Sequence, residues 1–207
     1  MEEFLPPLGF PLNRKFDSTL KFSSYDKTFP FSGNNSTDKF SSDSLRLELM
    51  SEEDVSLRLK METDPTLMVE LGGPRPRQEI LNAHAKSLIW MSHCKCWPLK
   101  ILLAGITSPV GTVVVFPSFN KDIPIYEIGW IVLSEYQNRG FASLAVGMVL
   151  EEACLLKTIA LFHAFPAVTN IASNRVCEKN GFTKLSKYVI EYNGRTLHCN
   201  HWQKNLS

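Results

Sequence analysis

The sequence QNRG at residues 137–140 lies between a run typical of a buried strand and an almost wholly apolar stretch typical of a buried helix. Gly140 permits a backbone path that a Cβ would hinder, and small Ala142 and Ser143 leave the first turn of the expected helix uncovered. The first N–H groups of a helix lack intrahelical partners and carry the positive end of its dipole. The Gln-x-x-Gly-x-Ala spacing therefore predicts backbone donors for an anion such as a diphosphate, with Arg139 at the rim.

Glu127 is the second residue of chemical interest, because it interrupts a strand-like run, YEIGWIV, that otherwise has the pattern of a buried strand. Acidic side chains are rarely buried without a partner. A carboxylate held beside a reacting amine can act as a general base, directly or through water. The alternative is a half-exposed glutamate paired with a neighbouring lysine or arginine, and the sequence leaves both interpretations open.

Composition narrows the class of protein. The 22 basic and 21 acidic side chains nearly cancel, which argues against a nucleic-acid binder. Neither a signal peptide nor an apolar run of transmembrane length is visible, so we expect no membrane partner and a cytoplasmic location. The five cysteines are scattered without the spacing of a metal site, which predicts reduced thiols and no metal.

The chain divides into two parts. Residues 1–43 contain no Val, Ile or Ala but hold seven of the 13 phenylalanines, so they cannot build a core of their own. We expect a Phe/Ser-rich extension that is either disordered or wraps around its neighbour. Residues 44–207 carry the pattern of one folded domain.

The first half of this domain begins with the strand-like alternation of Leu45, Leu47 and Leu49. A helix follows, with Ser51 and Asp54 as a capping box, and RQEILNAHAKSLIWMS predicts a second helix after the break GGPRP. Two β-rich runs around a turn then predict a hairpin, and PIYEIGWIVLS is a third strand.

The second half continues with a helix that runs to about Lys157 and the strand IALFHAF. NIASNRVCEKNGF predicts a helix that ends at Gly181, and an Asn-Gly turn at residues 193–194 predicts a closing hairpin. This order of elements predicts a mixed α/β domain with a largely antiparallel central sheet flanked by helices.

Two quoted segments in this order, YEIGWIVLSEYQNRGFASLA and HAFPAVTNIASNRVCEKNGF, resemble the acyl-CoA-binding core of the GNAT N-acetyltransferase superfamily, specifically its RimJ/RimL-like branch. The likeness spans roughly residues 45–204 and includes LGGPRPRQE and HCNHWQ. It implies the GNAT fold with splayed central strands, acetyl-CoA as co-substrate and an amine as acceptor.

The resemblance also implies where the co-substrate binds. Ile131, Val132 and Leu133 match the strand that pairs with the pantetheine arm, and Asn170 matches an asparagine that contacts the same arm. Ser173 and Asn174 lie one turn further on and are expected to face the same ligand. The diphosphate loop corresponds to Gln137, Asn138, Arg139, Gly140, Phe141, Ala142 and Ser143.

For the chemistry we expect Glu127 as the base and the backbone N–H of Val132 as donor to the oxyanion. The sequence also offers aromatic candidates for the acceptor pocket, each of which could instead be core packing: Tyr126, Trp130, His163 and Trp202, with His201 beside them. Arg75 and Arg77 are either candidates for an acidic group of the acceptor or simply solvated side chains. Cys177 stands where many superfamily members have a tyrosine acid, and a small buried cysteine is the favoured interpretation.

The function expected from this sequence is therefore acetyl transfer from acetyl-CoA to a primary amine by direct attack on the thioester. A small-molecule amine is the favoured acceptor, and a peptide N-terminus, as in a protein Nα-acetyltransferase, is the alternative. A non-catalytic acyl-CoA-binding module is a third hypothesis. We expect a monomer or a homodimer.

Overall fold

The computed structural model describes residues 45–206, apart from 94–95, 121–122, 158 and 193–194. The extension at residues 1–43 and the Asn-Gly turn at 193–194 lie outside the described residues and stay predictions. The described chain forms seven strands in one sheet: β1 (Leu45–Leu49), β2 (Trp97–Leu103), β3 (Gly111–Asn120), β4 (Ile123–Val132), β5 (Leu161–Ala164), β6 (Thr183–Tyr192) and β7 (Arg195–Asn205). It also forms five α-helices: α1 (Val55–Glu62), α2 (Pro65–Met68), α3 (Arg77–Ser92), α4 (Phe141–Leu156) and α5 (Ile171–Lys179).

The sheet has the strand order β1-β2-β3-β4-β5-β7-β6, and β4–β5 is its one parallel pair among the strands described. The expected mixed α/β class with a largely antiparallel sheet is confirmed. Helix α4 makes the crossover that a parallel pair requires. The last strand, β7, inserts between β5 and β6.

The strand β4 separates two apolar layers, because alternate side chains of a strand project to opposite faces. Ile128 and Val132 pack with the inward face of α4, which includes Val146 and Val149. Ile131 packs on the opposite side, in the cluster that contains Met61 of α1. The cleft described below therefore lies against a strand that is packed on both faces.

Helix α2 and the one-turn 3₁₀ helix Val69–Leu71 form a segment that the sequence pattern did not predict. Pro65 occupies the first turn, and the Asp64 side chain accepts from the N–H groups of Thr66 and Leu67 at 2.7 and 3.1 Å. A helix of four residues is too short to show hydrophobic periodicity, so only its cap and its proline carry a signal.

A buried ion triad fixes the chain that follows this segment. Glu62 accepts from Arg58 Nε and from Arg75 Nη1, both at 2.6 Å, and its carbonyl accepts the Arg75 N–H at 2.9 Å. All three side chains are at least 95% buried. The sequence offered Arg75 as a candidate for binding the acceptor, but in the structure Arg75 pairs with Glu62. A buried guanidinium group needs a carboxylate partner, because the loss of its hydration is otherwise too unfavourable.

Glu62→Gln is expected to destabilise the protein by about 3–5 kcal/mol, because it leaves two buried guanidinium groups without a counter-charge. Urea unfolding followed by circular dichroism measures this loss. Lys60→Ala is the matched control, since it breaks an exposed pair with Glu135 and should leave the free energy of unfolding almost unchanged. Equal losses in the two variants would contradict the role assigned to the triad.

Candidate active site

A cleft of about 630 Å³ opens where β4 and β5 separate. The two strands pair only at Tyr126↔Phe162 and Glu127↔His163, and beyond these pairs they diverge. The cleft is lined by residues of β4, the loop after β5, the first turns of α4 and α5, and the segment of α2 with its 3₁₀ turn. Its volume is in the range of small-molecule sites.

The N-terminus of α4 forms one end of this cleft. Gly140 is the N-cap of the helix, with φ +83°, and Asn138 has φ +60°. Two of the three residues from 138 to 140 therefore have the left-handed backbone conformation. No side chain of the described residues caps the helix, and Gly140, Phe141, Ala142 and Ser143 all line the cleft. The first N–H groups of α4 are thus presented to the cleft, an arrangement suited to a diphosphate.

The backbone of β4 offers further groups to the gap between the strands. The Leu133 N–H donates to Val110 O at 2.9 Å, which makes Leu133 a hydrogen-bonded position of the ladder with β3. Such positions alternate along an antiparallel strand, so Ile131 also faces β3 while Trp130 and Val132 direct their N–H groups towards β5. Gln137 Nε2 donates to Val132 O at 2.9 Å and thereby joins the loop to the strand end.

The start of α5 lines the opposite wall. Asn170 is the N-cap, and its Oδ1 accepts the Ser173 N–H at 2.9 Å, so both predicted residues lie at the cleft. Asn174 points into the core instead, where Nδ2 donates to Ala167 O and Asn170 O, both at 2.8 Å. Its Oδ1 accepts from Trp202 Nε1 at 2.9 Å and from Asn200 Nδ2 at 2.7 Å.

Glu127 and His163 lie side by side at the apex of the gap, in the last register pair before β4 and β5 diverge. Glu127 is 4% exposed, and its charge contributes to the raised pKa of Cys199, after the larger effect of burial. Ile128, the next residue, is the first residue of β4 to line the cleft. Glu127 is itself outside the lining, and its side chain projects from the same face of β4 as those of Ile131 and the position of Gly129, which do line the cleft.

His163 is paired with a second buried histidine. Its Nδ1 lies 2.8 Å from His201 Nε2, and the two rings stack with a centroid distance of 5.1 Å. Burial, and then the proximity of His201, lowers the pKa of His163 to about 4, and burial also lowers the pKa of His201. Phe165, which lines the cleft, stacks on His201 and separates this pair from the open space.

The structure brings most predicted site residues to the cleft but not all of them. The residues at the cleft are Trp130, Ile131, Val132, Gln137, Asn138, Gly140, Phe141, Ala142, Ser143, Asn170 and Ser173. The predicted residues outside its lining are Tyr126, Glu127, Leu133, Arg139, His163 and Trp202. Tyr126 stacks on Trp97, and Trp202 is bound to Asn174, so both serve packing.

Two further residues considered in the sequence analysis, Cys177 and Arg139, lie outside the cleft lining. Cys177 is fully buried outside the lining, and burial raises its pKa to about 12, as expected for a structural thiol. Arg139 is exposed and lies over the Tyr136 ring, with 5.8 Å from Cζ to the ring centroid. That cation–π contact keeps the guanidinium beside the loop rather than in it.

The sequence did not indicate several residues that line the cleft: Glu70, Leu71, Tyr136, Phe165, Arg175 and Lys179. Arg175 and Lys179 are four apart and therefore share one face of α5, and this i,i+4 spacing was the only available signal. Glu70 lies in the unpredicted 3₁₀ turn. Its position at the cleft depends on a tertiary contact that no local pattern encodes.

The sequence matches a family model described as an acetyltransferase (GNAT) domain over residues 44–183, which is more than half of the chain. This protein belongs to the GNAT acetyltransferase family and is an acyltransferase. No curated protein matches the sequence significantly. No described helix is long and apolar enough to cross a membrane, and no three described His, Cys, Asp or Glu residues are grouped to hold a metal ion.

Solved structures confirm the fold. A GNAT-family acetyltransferase from Bacillus anthracis is 20% identical, covers 78% of this chain and 95% of its own, and has a TM-score of 0.64. Spermidine N-acetyltransferase from Vibrio cholerae, solved with CoA and spermine, is 17% identical, covers 78% of this chain and 95% of its own, and has a TM-score of 0.65. An acetyltransferase from Salmonella typhimurium that modifies the N-terminal serine of ribosomal protein L7/L12 is 19% identical. It covers 79% of this chain and 95% of its own, with a TM-score of 0.64.

The histidine pair predicts a loss of stability in mild acid. Because the folded pKa of His163, about 4, lies below the ordinary value of about 6.5, the unfolded chain takes up a proton first as the pH falls. The stabilisation is present above pH 6.5 and is lost progressively towards pH 4. Urea midpoints measured from pH 7 to pH 4.5 should therefore decrease.

His163→Gln should flatten this dependence, because glutamine is polar but does not titrate in this range. His93→Gln is the control, since His93 is exposed at the end of α3. Buried His84 and His201, whose pKa values are also lowered, leave a residual slope in every variant. An unchanged slope in His163→Gln would contradict the assignment.

Proposed function

We propose that this protein transfers an acetyl group from acetyl-CoA to the primary amine of a small molecule. The observation that carries the proposal is the uncapped N-terminus of α4 at the end of a cleft between diverging strands. A helix start without a side-chain cap supplies N–H groups and positive potential to a diphosphate. Arg175 and Lys179 add positive charge on the α5 wall.

The acyl arm of the co-substrate is assigned to the gap between β4 and β5. Since Ile131 and Leu133 direct their backbone groups to β3, Trp130 and Val132 provide the main-chain groups that face this arm. Asn170 and Ser173 line the other side. The co-substrate would thus lie between two walls whose donors are already fixed by the fold, which lowers the entropic cost of alignment.

The chemistry assigns a role to two residues of β4. The Val132 N–H donates to the oxygen that becomes negative when the amine attacks the thioester carbonyl. Glu127 takes a proton from the acceptor ammonium group, and the neutral amine then attacks the thioester. The proton passes through water, because the carboxylate lies outside the cleft lining. Cys177 has no part in protonating the leaving thiolate in this scheme, since it is buried away from the cleft.

The acceptor class rests on a further contact. Thr169 Oγ1, in the loop between β5 and α5, donates to Glu70 Oε2 at 2.5 Å and links this loop to the 3₁₀ turn beside the cleft. A bridged cleft favours a compact amine over an extended peptide. The structural neighbours include enzymes for both kinds of acceptor, among them the aminoglycoside acetyltransferase AAC(6′)-Ib. A peptide N-terminus stays the alternative, and acetylation of short peptides in preference to simple amines would favour it.

Gly140→Val should abolish acetyl-CoA and CoA binding, or weaken it more than tenfold. A β-branched side chain at φ +83° is strained, and Gly140 lines the cleft at the start of α4, so the strain alters the backbone that presents the N–H groups. Isothermal titration calorimetry measures the affinity, and circular dichroism checks the fold.

Gly105→Val is the matched control for this substitution. Gly105 has a similar φ of +74° and the same open surroundings, but it lies in the turn between β2 and β3, outside the cleft lining. The control should lose comparable stability and keep its affinity for CoA. Absence of acetyl-CoA binding in the wild type would overturn the proposed function.

Glu127→Gln should lower kcat by ~10²-fold and leave the Kd for CoA unchanged, because it removes the proton acceptor without altering the cleft lining. Release of the CoA thiol in the presence of an amine panel measures kcat between pH 6 and pH 9. Glu48→Gln on β1, paired with Arg46 at the surface, is the control. A kcat that is unaltered at every pH would rule out Glu127 as the base.

A further inference from the structure

The cleft lining carries both positive and negative charge. Arg175, Lys179 and the start of α4 contribute positive potential, as an anionic co-substrate requires. Glu70 is the only acidic residue among the described residues that line the cleft, and it lies on the wall formed by α2 and its 3₁₀ turn. This wall is therefore the part of the lining suited to a cation.

The Glu70 carboxylate is held in place before any ligand binds. Its Oε2 accepts from Thr169 Oγ1, a residue 99 positions further along the chain. Within the described part of the chain no lysine or arginine pairs with Glu70, so its other oxygen, Oε1, stays available to a ligand. The turn that carries it is fixed by the Gly73 N–H, which donates to Met68 O at 2.8 Å.

Glu70 and Glu127 lie in different parts of the site. Glu127 is 4% exposed, at the apex of the gap and outside the cleft lining, whereas Glu70 is half-buried and belongs to the lining, on the wall formed by α2 and its 3₁₀ turn. The surface of that wall beside Glu70 is apolar, with Leu67, Leu71 and, on the β5 side, Phe165 lining the cleft. An acceptor that fills this arrangement has a reacting amine, an aliphatic spacer and a second positive charge.

We propose that Glu70 is a specificity-determining residue that binds a second ammonium group, and that the acceptor is a linear aliphatic diamine or polyamine. This inference rests on the proposed function. An alkyl ammonium is charged at neutral pH, as the lysine side chain is, and a charge-assisted hydrogen bond to Oε1 stabilises it. A monoamine with the same spacer leaves the carboxylate unpaired.

The test compares 1,5-diaminopentane with pentylamine, which differ in the second amine. Wild-type kcat/KM should be at least tenfold higher for the diamine, and the difference should shrink at high ionic strength. Glu70→Gln should raise KM for the diamine about tenfold with little change in kcat, and should affect pentylamine far less. Glu151→Gln, an exposed carboxylate on α4 outside the cleft, should leave both amines unchanged.

The outcomes separate this inference from the proposed function. Equal use of the two amines by the wild type, or equal losses for both in Glu70→Gln, would overturn the role of Glu70 while the acetyltransferase assignment stands. Binding of acetyl-CoA without acetylation of either amine would overturn the acceptor class. Failure to bind acetyl-CoA at all would overturn the proposed function and, with it, the inference.

Discussion

The separation of β4 from β5 after two register pairs is the constraint on which the rest of the site depends. A continued ladder would satisfy the backbone groups of Trp130 and Val132 and would leave no cleft. Because the strands part, these groups need partners from elsewhere, and Gln137 already supplies one of them. The helices that follow each strand then begin at the open end, and their first turns become the two walls.

Much of the fold follows from local patterns, because the elements that matter are long and strongly periodic. The sequence indicated α4, α5 and the β2–β3 hairpin correctly, and Ser51 and Asp54 form the expected capping box. The short α2 was missed because four residues show no period. The backbone features of the site were predictable for a related reason, since Gly140 and Asn170 mark helix starts.

Side chains whose roles depend on tertiary contacts were not predictable in this way. A strand pattern assigns His163 and Trp202 each to one face of the sheet but does not identify their partners. The fold shows that His163 is hydrogen-bonded to His201 and Trp202 to Asn174, and that neither lines the cleft. Arg75 lies in a proline- and glycine-rich segment that is typical of an exposed loop. It is buried because its guanidinium group pairs with Glu62, 13 positions earlier in the chain. Glu70 reached the cleft through an unpredicted turn.

The side chain of Asn174 makes all four of its possible hydrogen bonds. It donates to two carbonyl groups just before α5, those of Ala167 and Asn170, and it accepts from Trp202 and Asn200 of β7. The wall of the cleft is therefore anchored to a strand that is translated after it and that inserts between β5 and β6. A nascent chain emerging from the ribosome has α5 before it has its anchor. The anchor of this wall therefore forms only after β7 is available, and the wall is among the last parts of the site to be fixed as the domain folds.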